Sequence, residues 1–251
     1  MTNLNNKKKI LISGGEGKFA NQLIMANEEY DILSPGRTEM NITSIKSIDD
    51  FISNTSPDIF LHSAAFTRPM SKHQDFADVS IETNIIGTAN VVLSCMKYKV
   101  KLVYISTDYV YPGTEGNYKE DSPISPYYGK NDGITKYGWS KLGGEASVRM
   151  YDNSLILRVC MCNYPFPHSA ALEDIKKSLI FDYDAAKIVL KLLNEKGIIN
   201  IGGKSQTVYD FTVENNIKID KIKKSDIKDV DIAPDTSMNT DKMNMILEKL
   251  K

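Results

Sequence analysis

Tyr137 and Lys141, in Tyr-Gly-Trp-Ser-Lys, are the pair in this chain best suited to moving a proton. Four positions apart on a helix, they share one face, a turn from each other. An ammonium beside a phenol favours the phenolate, and the ordinary pKa of the phenol is about 10. At roughly 4 Å and an effective dielectric of about 20 the attraction is at most on the order of 4 kcal/mol, or about 3 pKa units. Half of that brings the phenol into range for proton transfer near neutral pH. Tyr-x-x-x-Lys also arises by chance in many helices, so its meaning depends on the rest of the chain.

Two other stretches bear on it. Lys9-Ile10-Leu11-Ile12-Ser13 reads as a buried parallel strand, followed by Gly14-Gly15-Glu16-Gly17-Lys18-Phe19-Ala20 and the helically spaced Leu23, Ile24 and Ala26. Strand, glycine turn and helix in that order is the context of a dinucleotide fingerprint. Gly14 suits the tight turn, Gly17 the close approach of backbone to a pyrophosphate, and Ala20 the packing of helix on sheet. The amides of the helix start, from Lys18 and Phe19, face the phosphates with the positive end of the dipole. An ordinary glycine-rich turn remains the alternative. The second stretch, Val103 to Tyr111, is an apolar strand whose end carries Ser106 and Thr107. Ligands of open α/β sheets bind outside the carboxyl ends of strands, so a hydroxyl there can hold a carbonyl for Tyr137 to protonate. Capping of the strand end is the plainer use of Ser and Thr.

Positioning these groups requires alternating strands and helices, which predicts a parallel, doubly wound α/β sheet. Strands are expected at Ile10–Ser13, Asp31–Ser34, Ile59–Ser63, Leu102–Ser106, Leu155–Val159 and Ile198–Ile201. The clearest helices are expected at Lys18–Ala26, Ile81–Met96, Tyr137–Met150 and Asp184–Leu193, with Lys218–Asp231 as surface strand or helix. With 251 residues, 41% hydrophobic and 25% charged, the chain has the make-up of a globular protein. A net charge of −1 gives no reason to expect nucleic acid or an anionic membrane as partner. No apolar run is read as a membrane span, and Met1–Lys9 lacks the apolar core of a signal peptide, so the cytoplasm is expected. Three cysteines suit no disulfide framework; Cys160 and Cys162 share a strand face without a Cys/His pair to complete a metal site, and core packing is expected.

Gly14-x-x-Gly17-x-x-Ala20, Ser-Thr-Asp-Tyr-Val-Tyr at 106–111 and Tyr137-x-x-x-Lys141 together resemble the extended short-chain dehydrogenase/reductases. Within them the chain is most similar to dTDP-4-dehydrorhamnose reductase and related nucleotide-sugar 4-ketoreductases. Further matching stretches are Pro57–Thr67, Asn84 in a helix, Lys141–Glu145, Gly197–Gly203 and Asn239–Lys242. The resemblance implies a Rossmann-type sheet with a small, shortened C-terminal lobe. Residues 1–160 are expected to bind NAD(P) and carry the Tyr/Lys helix, and 161–251 to form a reduced substrate lobe interleaved with the last sheet elements.

The implied activity is reduction of a 4-keto group on a nucleotide-linked deoxy sugar, with a place in polysaccharide biosynthesis. Tyr137 donates the proton, Thr107 orients the oxygen, and Lys141 lowers the tyrosine pKa and holds the nicotinamide ribose. Ala64 and Ala65 pass close to the cofactor, Asn41 and Ile42 lie beside the adenine, and Ser106 lines the cofactor side. Thr67, Asp108, Tyr109, Asn84 and His168 are candidates for the substrate side; His62 and His73 are read as structural. After the second strand the chain reads Leu33-Ser34-Pro35-Gly36-Arg37, with no carboxylate at the strand end. Arg37 with Ser34 suits a 2′-phosphate, so NADPH is expected, with NADH the other choice and Glu39 nearby. The resemblance implies a homodimer, on which the residues are silent.

Three departures stand out, the first beside the active site and the other two on the substrate side. Tyr127–Lys136 looks like an insertion before Tyr137, Ser169–Phe181 looks shortened, and Ala233-Pro234 stands where relatives often carry Arg-Pro. Related dehydratases carry Asp-Glu after the threonine, whereas here Tyr109 follows Asp108. An epimerase, or a non-catalytic cofactor-binding regulatory subunit, are the remaining alternatives.

Overall fold

The computed structural model describes residues 7–67, 72–127, 133–228 and 230–250. Six parallel strands form its centre: β1 (Lys9–Ser13), β2 (Asp31–Leu33), β3 (Ile59–His62), β4 (Lys101–Thr107), β5 (Ser154–Val159) and, later in the chain, β10 (Gly197–Ile201). Their order is β10-β5-β4-β3-β1-β2. The chain runs outward from β1 to β2, then returns to the other side of β1 for β3. That reversal opens a crevice at the carboxyl ends of β1 and β3, where ligands of such sheets bind.

Period-two alternation divides the core between the two faces of the sheet. Ile10, Ile12, Ile59, Leu61, Val103 and Ile105 face α1 (Lys18–Ala26) and a later helix, Asp182–Leu192. Leu11, Phe60, Leu102, Tyr104 and Ile156 face the other way, onto α2 (Ile45–Thr55) and the helix Gly87–Tyr98. Each such aliphatic side chain contributes about 1.5–3 kcal/mol by leaving water.

All six expected strands are present within a residue or two of their expected ends, and α1 has the expected bounds. The expected Ile81–Met96 helix belongs to a longer run: α3 (Lys72–Asp75), α4 (Ala77–Ser80), a π-helical segment Ile81–Ile86, and α5 (Gly87–Tyr98). The expectation that no stretch is long enough for a bilayer needs correcting. Ala77–Tyr98 forms a helix long and apolar enough to cross one by length and composition. In the fold, part of it packs inward: Asn84, Thr88, Val91, Val92 and Cys95 are buried. α2 has no counterpart among the expected helices; its Ser44 cap accepts from Ser47 N at 3.3 Å, and its Ile48 and Ile52 are buried.

The tyrosine helix, α6 (Gly133–Val148), follows β4; of the suspected insertion, residues 128–132 lie outside the described residues. The short Ser169–Phe181 segment yields only small strands. β6 (Met161–Cys162) pairs with β9 (Ile180–Phe181), β7 (Ala170–Leu172) with β12 (Asp220–Ile222), and β8 (Lys176–Lys177) with β11 (Gln206–Thr207). Around them Tyr111, Tyr118, Leu179, Phe181, Phe211 and Met238 make a separate small core that includes Cys160 and Cys162. Cys95 packs in the main core, and all three thiols are buried.

Candidate active site

The glycine turn is built for close approach. Gly14 has φ +74°, and a Cβ there would lie 2.9 Å from Ala64 Cα. Gly17 N donates to Gly14 O at 2.8 Å, closing the turn, and no side chain caps the first amides of α1. Those amides and the positive helix end suit an anionic diphosphate. Behind the turn, Ser13 Oγ accepts from Ser63 N and Ala64 N at 3.2 Å each, tying the ends of β1 and β3 together. With both acceptances made, Ser13 donates to His62 Nδ1 (2.7 Å), and His62 Nε2 bonds Thr88 Oγ1 at 3.0 Å. Burial, aided by the Lys141 charge, pushes His62 down to about 3, so it serves as a neutral strut.

Lys141 and Tyr137, the candidate proton-transfer pair, lie near the end of β4. Lys141 Nζ donates to Ile105 O at 2.8 Å and lies 4.2 Å from the Tyr104 ring centre. Burial brings its pKa down to about 7, with Glu145 pulling the other way. Its charge at neutral pH is therefore weaker than the full ammonium expected from sequence. Tyr137 is 7% exposed, its ring edge-on to His73 and to Tyr109 at 5.2 and 5.9 Å between centres. His73 Nδ1 bonds Ser80 Oγ at 2.7 Å, so this histidine packs the tyrosine in place.

Ser106 lines the cleft, and its hydroxyl donates to Glu145 Oε2 at 2.9 Å. Glu145 is in turn paired with the fully buried Arg158, Nη2 to Oε1 at 2.5 Å. Thr107 Oγ1 donates to Asp108 Oδ1 at 3.2 Å and accepts from Tyr109 N at 3.3 Å. Asp108 is engaged too. Its Oδ2 accepts from Lys177 Nζ and from Thr236 Oγ1, both at 2.6 Å, and Lys177 Nζ sits 4.0 Å from the Tyr109 ring centre. A lysine from β8 thus reaches the carboxyl end of β4, a feature that no local sequence pattern announces.

Thr107, Asp108, Tyr109, Tyr137 and Lys141 share one open cleft of about 700 Å³ with the glycine turn. All the candidates named from sequence line it except Ser34, Asn84 and His168. Ser34 instead lays its carbonyl over Gly15, where a Cβ would come within 2.0 Å of it. Asn84 is a brace: Oδ1 accepts from Phe66 N at 2.8 Å, and Nδ2 donates to Phe66 O and Ser140 Oγ at 2.9 Å each. It fixes the loop after β3 against α6. His168 is exposed and packs against Phe166, away from the cleft. Ala233 is 1% exposed and backs onto Gly113, where an added Cβ would lie 2.4 Å from its own. Residues missed by the sequence reading include Glu16, Met161 and Asn163 on the cleft wall.

Comparison with known proteins places this site in context. Residues 8–162 match the family model described as RmlD substrate binding domain. The spore coat polysaccharide biosynthesis protein SpsK of Bacillus subtilis is 30% identical over 145 residues, 57% of this chain and 48% of its own. A dTDP-4-dehydrorhamnose reductase of Aggregatibacter actinomycetemcomitans is 28% identical over 157 residues, 60% of this chain and 50% of its own. The chain thus spans about half the length of the curated relatives it matches. Among solved structures, a Bacillus anthracis dTDP-4-dehydrorhamnose reductase in complex with NADP superposes with a TM-score of 0.82 at 22% identity, covering 95% of this chain and 91% of that one.

Proposed function

From the premise that this chain belongs to the RmlD substrate binding domain family, we propose that it is an NAD(P)H-dependent reductase of a 4-keto group on a nucleotide-linked deoxy sugar. The observation that carries the reading is a single cleft lined by the glycine turn, Thr107, Tyr137 and Lys141 together. The names of the relatives, dTDP-4-dehydrorhamnose reductase among them, support the substrate class.

The site fits a dinucleotide. Side chains are missing where Gly14 meets Ala64, the start of α1 lacks a side-chain cap, and Arg37 lies on the same wall for a 2′-phosphate. Gly14, Gly17, Lys18 and Phe19 would hold the diphosphate, and Asn41, Ile42, Ala64 and Ala65 the nucleoside parts. When bound, NAD(P)H supplies the hydride that reduces the keto carbon.

In this reading Tyr137 gives its phenolic proton to the carbonyl oxygen, completing the alcohol. The Lys141 ammonium, one helical turn away, stabilises the phenolate left behind. Thr107 turns its proton from Asp108 Oδ1 toward the same oxygen, giving up a 3.2 Å bond that is long for hydroxyl to carboxylate. Residues 1–160 serve as the cofactor-binding half, and 161–251 as the reduced substrate lobe, reaching the cleft through Met161 and Asn163. The test is NADPH and NADH oxidation, followed by absorbance, with a panel of nucleotide-linked 4-keto-6-deoxy sugars. Turnover with a member of the panel is expected. Cofactor binding without any turnover would favour a non-catalytic role.

A further inference from the structure

One helical turn beyond Lys141 lies a buried ion pair that the proton transfer itself does not use. Glu145 and Arg158 are both 0% exposed, with Nη2 2.5 Å from Oε1 and Nε 3.3 Å from Oε2. Removing two charges from water is costly even when they pair, and apolar side chains of the same volume would serve the core as well. Further partners fix where the pair sits: Arg158 Nη1 donates to the Tyr111 hydroxyl at 2.8 Å and to Glu120 O at 3.2 Å. Lys141 and Glu145 descend from one face of α6 onto consecutive residues of β4. Lys141 Nζ donates to Ile105 O, and Glu145 Oε2 accepts from Ser106 Oγ. Around Lys141, Tyr104 of β4 offers the face of its ring, His62 of β3 is neutral, and Tyr137 is the phenol beside it. Asp108, past the end of β4, is taken up by Lys177. Glu145 is thus the carboxylate whose charge acts on the ammonium.

We propose that Glu145 is a positioning residue for the reduction: pinned by Arg158, it keeps Lys141 in its ammonium form and so leaves Tyr137 able to give up its proton. Burial works against the charge on Lys141, and Glu145 works for it. Without that charge, the phenolate of Tyr137 would lose its counter-charge as it forms. Arg158 engages both oxygens of Glu145, so the carboxylate stays ionised and acts from a turn away while Nζ keeps donors for the site. The proposal rests on the reading of Tyr137 and Lys141 as the proton-transfer pair, but its first readout needs no known sugar.

Its test is the NMR titration of the Lys141 ¹³Cε resonance in protein labelled at lysine, the signal being identified by its loss in Lys141→Arg. The wild type should titrate near pH 7, apart from the other lysines. Glu145→Gln, which leaves the Arg158 charge uncompensated, should move the midpoint down by about one to two pH units. Glu145→Gln/Arg158→Met removes both charges while keeping the core filled, and should move it down by about one. This double variant carries the test if the single one does not fold. With a sugar that the wild type reduces, the alkaline decline of kcat should move to lower pH by the same amount. A pair that merely held the fold together would lower stability and leave the midpoint in place. A midpoint unmoved within about 0.3 pH units in the folded double variant overturns the proposal, whether or not any sugar is reduced. A midpoint that moves while the kcat profile stays fixed overturns instead the reading of Tyr137 and Lys141 on which the proposal rests.

Discussion

Replacing Lys177 by Met tests the claim that the small lobe holds the reacting end of β4 in place. Lys177 and Asp108 are nearly inaccessible, with side chains 10% and 4% exposed and their charged atoms 2.6 Å apart. Burial alone would lower the lysine pKa, but Asp108, with the Tyr109 phenol and the Cys160 thiol, raises it above its ordinary value. Removing the ammonium leaves the Asp108 carboxylate with neutral partners, among them the hydroxyls of Thr236 and Thr107 and the Cys160 thiol. Breaking a buried pair from one side costs about 3–5 kcal/mol. At about 2–4 °C per kcal/mol for a chain of this size, the melting temperature falls by about 6–20 °C. A group whose folded pKa is raised contributes stability that is full below its unfolded pKa and lost only as pH rises through the folded value. The deficit should therefore persist from about pH 6 to 9. The assay is urea unfolding of the wild type, Lys177→Met and Lys177→Met/Asp108→Asn, the last removing both charges and recovering more than half of the loss. Lys177 does not line the cleft, so NAD(P)H binding should survive while turnover drops with the loss of order at Thr107. A single variant within about 1 kcal/mol of wild type would refute the reasoning.

Two further outcomes follow from the same geometry. Lys141 has its folded pKa lowered to about 7, so between there and its ordinary 10.5 the unfolded chain binds the extra proton and stability rises with pH. Lys141→Met should accordingly be most stabilising near pH 6, and its advantage should shrink by about 2–3 kcal/mol by pH 9 in urea titrations; a difference constant with pH would contradict the burial argument. Gly14→Val forces a β-branched residue to φ +74° with its Cβ 2.9 Å from Ala64 Cα. A loss of at least about 2 kcal/mol together with loss of NAD(P)H binding is expected, and unchanged binding by fluorescence would remove Gly14 from the cofactor cradle.

The legible parts of this fold are those fixed by short-range pattern. Ile10–Ser13, Ile59–His62 and Leu155–Val159 are apolar runs of strand length because both faces of a central parallel strand are covered. Tyr137 and Lys141 lie on one helix, so their spacing alone places them together. What the sequence hid depends on distant partners. The small-lobe strands are two or three residues long and exist through pairings such as Lys176 with Thr207 and Ala170 with Asp220. α2 reads as polar because only one side of Ile45–Thr55 meets the core. Lys177 meets Asp108 across 69 positions, and Glu16 reaches Gly36 from a different element. Ser106 lines the cleft, yet its hydroxyl donates to Glu145, a carboxylate that Arg158 holds buried from a distant strand.

The central claim is that Tyr137 delivers the proton in a reduction carried out within this cleft. Tyr137→Phe, assayed with NAD(P)H and a nucleotide-linked 4-keto-6-deoxy sugar that the wild type reduces, tests it most directly. The account predicts a fall in kcat of about 10²- to 10⁴-fold, the usual worth of a positioned general acid, with NAD(P)H affinity unchanged. Turnover within a few-fold of wild type would contradict it.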